Sequence, residues 1–127
     1  MRVWRVEHGV DGYGPYCSGK GRDEVTIKIA EAHSYYTNRE IHPTTAADGF
    51  WERLPVGEGY YWRHGLNRYY HVLQWFKGFA EDLRSVGFVV AVYDVASPHV
   101  MTGESRRQVM FNPDHATWLR KREIWRE

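Results

Sequence analysis

The sequence has one cysteine and no long apolar segment. Cys17 has no partner for an internal disulfide, and a single cysteine cannot build a Cys-based zinc site. No run of about 18 apolar residues occurs, so we expect no membrane span. The N-terminal segment MRVWRVEHGV lacks the apolar stretch of a signal peptide. These absences predict a cytoplasmic protein.

The chain also has little excess charge. Seventeen basic and 16 acidic side chains give a formal net charge of +1, so the total charge does not drive the protein onto nucleic acid. The C-terminal end is a local exception, because its basic residues are interleaved with Trp118 and Trp125, a mixture that can hold phosphates and stack bases. Acidic neighbours dilute this patch, so nucleic-acid binding is the weakest alternative. The basic residues are Arg106, Arg107, Arg120, Lys121, Arg122 and Arg126.

Aromatic side chains are what the sequence has in excess. Six Trp, nine Tyr and five Phe make up 16% of the 127 residues. Aromatic residues bury much apolar area, so most of them should fill the core of a single domain over residues 1–127. We expect Trp4, Leu73, Phe76, Phe88 and Tyr93 in that core. A second group lies in or beside glycine-rich loops and should form the wall of any site: Tyr13, Tyr16, Tyr60, Tyr61 and Trp62.

Hydrophobic periodicity predicts an α+β fold, with a small mixed β-sheet and two or three packed helices. Alternation indicates a strand over 2–7 with Trp4 and Val6 on one face and Arg5 and Glu7 on the other. Residues 88–95, FVVAVYDV, are typical of a central strand covered on both faces. Further strands are predicted over 60–64 and 107–111, and residues 115–125 form either a helix or a strand. Helices are predicted from Asp23 to about Thr37 and from the Asn67 cap to Gly87, the second split at Gly78, with loops over 9–22 and 38–59.

Common catalytic and metal-binding motifs are missing. The seven histidines show no HExxH or zinc-finger spacing, there is no GxSxG nucleophile turn, and GYGPYCSGKG does not match a phosphate-binding loop. Cys17 lies in a glycine-rich loop, where a lone cysteine is usually not catalytic. We therefore expect no metal site and no standard nucleophile.

Three short motifs distributed along the chain carry a resemblance. They are RVEH running into GYGPY, the helix NRYYHVLQWF, and the closing strand RQVMF. This layout resembles small phage-encoded proteins, and it also resembles a reduced ADP-ribosyltransferase fold. The resemblance implies a location in the cytoplasm of a bacterial host cell and NAD as the cofactor.

The resemblance to ADP-ribosyltransferases implies site residues by position. In that superfamily a first strand and a second strand supply cofactor contacts, and a late strand supplies a catalytic Glu. Here Gln108 stands at the late-strand position, where it cannot act as a general base or stabilise an oxocarbenium ion by charge, so transfer activity is in doubt. The implied catalytic residues are Gln108 and His64, and the implied cofactor-binding residues are Arg5, His8, Gly14, Tyr16 and Tyr61.

Two functional hypotheses follow. The first is a phage ADP-ribosyltransferase-like domain that binds NAD or a related nucleotide and modifies a host protein. The alternative is a non-enzymatic counter-defence protein, similar to anti-CRISPR proteins, that inhibits a host complex by direct binding through surface aromatic and arginine side chains. The first predicts one cleft containing Arg5, Tyr61 and Gln108.

Overall fold

The structure is a computed structural model that describes residues 1–17, 19, 21–33, 42–54 and 61–127. Six strands are described: β1 (Arg2–His8), β2 (Arg63–Leu66), β3 (Phe88–Val95), β4 (Val100–Thr102), β5 (Gln108–Phe111) and β6 (Ala116–Glu123). Three α-helices accompany them: α1 (Asp23–Ala32), α2 (Tyr69–Trp75) and α3 (Ala80–Ser85). Within these ranges no helix has the length and apolar character needed to cross a bilayer.

The six strands form one sheet in the order β4-β5-β2-β1-β3-β6. The prediction of an α+β domain with helices on a small sheet is therefore confirmed. Every strand pair is antiparallel, so the sheet is not mixed as predicted. The apolar run of β3 predicted a strand covered on both faces, and that pattern does not distinguish parallel from antiparallel neighbours.

Several predicted elements are found close to their predicted positions. β1, β3 and β5 match, and Gly78 separates α2 from α3 with a positive φ of 89°, which favours glycine. The C-terminal segment is a strand. β2 begins at Arg63, later than predicted, and β4 was not predicted. Residues 34–37 of the predicted first helix, residues 38–41 and 55–59 of the predicted loop, and Tyr60 lie outside the described residues.

Both predicted helix caps are wrong. The residue before α2 is Arg68, and the side chain of Asn67 instead donates from Nδ2 to the carbonyl of Arg106 at 2.7 Å. Asp23 lies in the first turn of α1, where its carboxylate accepts from the backbone N–H of Gly19 at 2.8 Å. Both side chains satisfy backbone groups of neighbouring loops, a use that competes with capping.

The alternation of β1 separates two apolar cores. Trp4 and Val6 face the helices, whereas Val3 and Arg5 face the other side of the sheet, as the sequence predicted. The helix-side core contains Val6, Ile29, Leu66, Val72, Trp75, Phe76, Ala80, Leu83, Phe88, Val90 and Ile124. The core on the opposite face contains Val3, Ala91, Tyr93, Val95, Val109 and Phe111.

The predicted division of aromatic residues is partly correct. Phe76, Phe88 and Tyr93 are buried, whereas Trp4 and Leu73 are only half-buried. Trp62 was expected in a site wall but is buried with Phe50, Leu54 and Met110 in a third apolar cluster.

Candidate functional site

A cavity of about 470 Å³ lies on the helix side of the sheet. β1 and β2 form its floor, α2 forms one wall, and two loop segments form the rest. Its volume falls within the range of small-molecule pockets. The described lining residues are those of segments 4–6, 14–17, 42–45 and 64–66, together with Ala30, His33, Trp75, Phe76 and Gln108.

Five of the seven site residues predicted from the sequence line this cavity. They are Arg5, Gly14, Tyr16, His64 and Gln108. They reach it from three strands and from the loop that follows β1. Shared position does not establish their chemical roles, which remain predictions.

The other two predicted residues, His8 and Tyr61, lie outside the cavity. The Nε2 of His8 donates to the carbonyl of Val86 at 2.8 Å, and its Nδ1 accepts from the N–H of Val10 at 3.3 Å. Both ring nitrogens therefore hold the end of β1. Tyr61 is about half exposed, and its hydroxyl donates to Asp114. The structure thus does not place Tyr61 in one cleft with Arg5 and Gln108.

The buried side chain of Arg5 ties β1 to its surroundings. Its Nη1 donates to the carbonyl of His64 on β2 at 2.8 Å, and its Nη2 donates to the carbonyl of Gly12 at 3.2 Å. Its Nε lies 3.4 Å from Glu7 Oε1, an ion pair without hydrogen-bond geometry. Burial lowers the pKa of Arg5, and the charge of Glu7 opposes that shift. Arg5 therefore supports the cavity floor from the opposite face of the sheet, and its two terminal nitrogens each donate to a backbone carbonyl.

Tyr16 is the centre of a hydrogen-bonded network in the wall. Its hydroxyl accepts from Trp75 Nε1 at 2.7 Å and lies 2.8 Å from His33 Nδ1. An indole nitrogen only donates, so the tyrosine hydrogen is left to donate to His33. This places the proton of neutral His33 on Nε2. Burial of the hydroxyl end raises the pKa of Tyr16 well above its ordinary value, although the bond from Trp75 opposes the shift.

Two histidines stack beside this network. The rings of His33 and His42 lie 3.8 Å apart between centroids and 16° from parallel. His42 Nε2 donates to the carbonyl of Trp75 at 2.7 Å, which leaves Nδ1 as a buried acceptor with no hydrogen-bond partner among the described residues. Burial lowers the pKa of His33 to about 4, with His42 adding to the effect, and burial also lowers the pKa of His42. Both rings are therefore neutral near pH 7.

His64 is a third neutral imidazole at the cavity. The side chain of His64 is exposed at the cavity, but many protein atoms surround its ring. Burial, with a smaller contribution from the charge of Arg5, lowers its pKa to about 4. Both causes disfavour the imidazolium, so the ring of His64 is neutral near pH 7.

Gln108 connects the cavity to a buried carboxylate behind it. Its Nε2 donates to Asp48 Oδ2 at 3.2 Å and to the carbonyl of Pro43 at 3.3 Å. Asp48 is 1% exposed and also accepts from the backbone N–H and the hydroxyl of Ser105, at 2.6 and 2.8 Å. The amide nitrogen of Gln108 therefore holds the segment 43–48 in place, and part of that segment lines the cavity.

The described lining carries little charge. Arg5 is the one Arg, Lys, Asp or Glu among the described lining residues, and its side chain lies on the face of the sheet away from the helices. Within the described part of the chain, no three His, Cys, Asp or Glu side chains are grouped so as to hold a metal ion. The cavity therefore offers aromatic rings and neutral polar groups.

Sequence reasoning missed His33, His42 and Trp75, which line the cavity, and it also missed Asp48, which is buried behind Gln108. No local spacing joins them, because His33 follows α1, His42 lies in a loop and Trp75 ends α2. Their contacts arise only when α1 and α2 pack on the sheet. The sequence contained no signal that would have selected these two histidines from the seven.

The fold and the cavity define a small α+β protein with one antiparallel sheet and a ligand-sized cavity lined by aromatic and neutral imidazole groups. The chain belongs to the family of the bacteriophage T4 Y00F protein, whose family model matches residues 1–125. The predicted phage origin is thereby supported, and no ADP-ribosyltransferase family is detected. Comparison with curated proteins and with solved structures found no match.

Proposed function

We propose that the cavity binds NAD or a related nucleotide, with a ring of the ligand against the aromatic wall. The observation that carries this proposal is the cavity of about 470 Å³, in which five of the predicted site residues meet Trp75 and Phe76. Planar rings bind well between aromatic side chains, and a few fixed polar groups orient them.

The neutral state of the polar groups supports a heteroaromatic ligand. A tyrosine hydroxyl such as that of Tyr16 is neutral near pH 7, and the His33 and His64 rings are neutral because burial lowers their pKa values to about 4. Neutral hydrogen-bonding groups cost less to desolvate than charges when a ring displaces water. A nucleoside or nicotinamide group matches such a surface.

The proposal is binding, with no transfer step. ADP-ribosyl transfer develops positive charge on the ribose, and a carboxylate usually stabilises it. Gln108 carries no charge, its amide nitrogen is engaged by Asp48 and Pro43, and the described lining contains no carboxylate. Modification of a host protein would require a charged acceptor that the described lining does not contain.

The test is calorimetric titration with NAD, nicotinamide mononucleotide and AMP, using wild type and Tyr16→Phe. Removing the Tyr16 hydroxyl leaves Trp75 Nε1 and His33 Nδ1 without their partner, so we expect affinity to fall by about threefold to tenfold. Tyr70→Phe is the matched control, because Tyr70 is 62% exposed and lies outside the lining.

Two results would count against nucleotide binding. One is the absence of heat with all three ligands. The other is an equal loss of affinity in Tyr16→Phe and Tyr70→Phe. Incubation of host proteins with NAD and the chain, followed by mass spectrometry, separately tests the absence of transfer, for which we expect no mass increase.

A second candidate function is inhibition of a host complex by direct binding. It is favoured by exposed apolar side chains outside the cavity, among them Trp118 and Leu119 on β6, which are 55% and 38% exposed beside basic residues. Such a mixture is frequent at binding hot spots. It predicts a stoichiometric complex with a host protein whose affinity does not change when NAD is added.

A further inference from the structure

β6 is an edge strand of the sheet, and its outer side is exposed. β3 pairs with one side of it, and in the described part of the chain no backbone hydrogen bond reaches its other side. Every residue from Thr117 to Glu123 is exposed. An edge strand presents a row of unpaired N–H and C=O groups, which is a template for pairing with another chain.

The positive charge on this edge lies mainly on its helix-side face. Arg120 and Arg122 pair with Val92 and Val90 on that face, whereas Lys121 shares the opposite face with Glu123, whose charge offsets it. The guanidinium of Arg122 is held over the ring of Tyr69 at 3.8 Å. We call the segment Arg120–Glu123, together with Trp118, the basic edge.

A bulge sets the length of the pairing segment. Val92 is opposite Arg120 and Tyr93 is opposite Trp118, so Leu119 is the extra residue. A bulge interrupts the ladder of hydrogen bonds. A partner strand would therefore pair along 120–123, and Trp118, on the other side of the bulge, would provide an apolar contact.

We propose that the basic edge binds an extended acidic segment of a partner protein by strand addition. This proposal rests on the second candidate function above, inhibition of a host complex by direct binding. Backbone pairing would supply affinity, and the two arginines on the helix-side face would select acidic side chains along the same face of the incoming strand.

Charge disfavours the other occupants. Pairing β6 with a second copy of itself would bring two basic segments side by side, and like charges across a strand pair are destabilising. Nucleic acid would match the cations and Trp118, but it would leave the backbone edge without complementary donors and acceptors. An acidic strand satisfies both the charges and the edge.

The probe is a capped synthetic peptide of about eight residues, near the usual strand length, with valine and glutamate alternating. One control peptide has proline in place of valine, which keeps the charge and removes backbone donors. The other has lysine in place of glutamate. Affinity is measured by calorimetry, and amide hydrogen exchange is measured by NMR on the full chain.

We expect the acidic peptide to bind and to slow exchange of β6 amides, and we expect neither control to do so. The double variant Arg120→Glu with Lys121→Glu should weaken peptide binding by about tenfold or more. Arg53→Glu with Arg106→Glu is the control with the same change of charge, because both residues are exposed and lie beside β4 and β5, at the opposite edge of the sheet from β6. It should bind within about twofold of wild type, since distant surface charges are screened.

Several outcomes would contradict the proposal that the basic edge binds an acidic strand. These are equal binding of the proline peptide, absence of protection in β6, tighter binding of an oligonucleotide than of the acidic peptide, or self-association of wild type through β6. If a host complex forms and survives the β6 charge reversal, the basic edge is wrong and the second candidate function stands. If the peptide binds as expected but no host complex forms, the second candidate function fails and strand addition stands.

Discussion

Two polar clusters lie side by side on the helix side of the sheet and differ in how their hydrogen bonds are satisfied. In the cavity wall, the neutral hydroxyl of Tyr16 is hydrogen-bonded to Trp75 and His33, and the rings of all three residues line the cavity. Behind it, the carboxylate of Asp48 is almost completely buried and accepts from Ser105 and Gln108.

The difference separates a structural cluster from a candidate binding surface. The acceptors of Asp48 are met by nearby protein donors, so a ligand would have to break existing bonds to use them. The cavity cluster keeps aromatic faces and neutral rings at an open volume, where a ligand can replace water. Gln108 belongs to both, which is why its position at the cavity does not by itself make it a catalytic residue.

The largest effect is expected at the buried carboxylate. Asp48→Ala removes the acceptor of three hydrogen bonds and leaves buried donors on Ser105 and Gln108. We expect the free energy of unfolding to fall by about 3 kcal/mol or more, measured by urea denaturation. Asp94→Ala is the control, because the Asp94 side chain is 61% exposed. Losses of similar size in both variants would contradict the distinction between the clusters.

An intermediate effect is expected on acidification. The pKa of folded His33 is about 4, below the ordinary 6.5, because burial disfavours its charged form. Between these two pH values the unfolded chain takes up a proton that the folded chain excludes, so this group makes the protein less stable as pH falls through the window. NMR titration of the imidazole should show the low pKa, and His33→Phe should reduce the dependence of the urea midpoint on pH. Titration near 6.5 in the folded protein would contradict a buried neutral ring.

The smallest effect is expected at a residue outside both clusters. Tyr61 is half exposed and its hydroxyl donates to Asp114 at the surface, where water can replace the lost bond. Tyr61→Phe should therefore leave both the melting temperature and nucleotide affinity unchanged within experimental error. A clear loss of nucleotide affinity would place Tyr61 in the site, as the sequence resemblance implied.

The strands and helices were predictable where one residue pattern fits one environment. FVVAVYDV has few alternatives to a covered strand, and the glycine at 78 marks a helix break that needs a positive φ. The antiparallel order was not predictable, because strand order depends on which edges pair across the chain. The helix caps failed at Asn67 because a neighbouring loop competes for the same side chain.

The site was predictable only in outline. Arg5, Tyr16 and Gln108 were selected by resemblance, and they do line one cavity. The resemblance could not show that the nitrogens of Arg5 and Gln108 are already used by carbonyls and by Asp48. It also could not find the stacked pair of His33 and His42, because the two rings meet through packing against Trp75 and not through spacing in the sequence.

Gly103 lies so close to Asp48 that a Cβ atom built on it would overlap the carboxylate. A side chain at one position therefore excludes a side chain at the other. In divergent relatives, loss of the glycine at position 103 should be accompanied by a shorter residue at position 48, together with a change at Ser105, whose donors would lose their acceptor. Such coupled substitution would identify distant members of the family even where the short strand motifs have been lost.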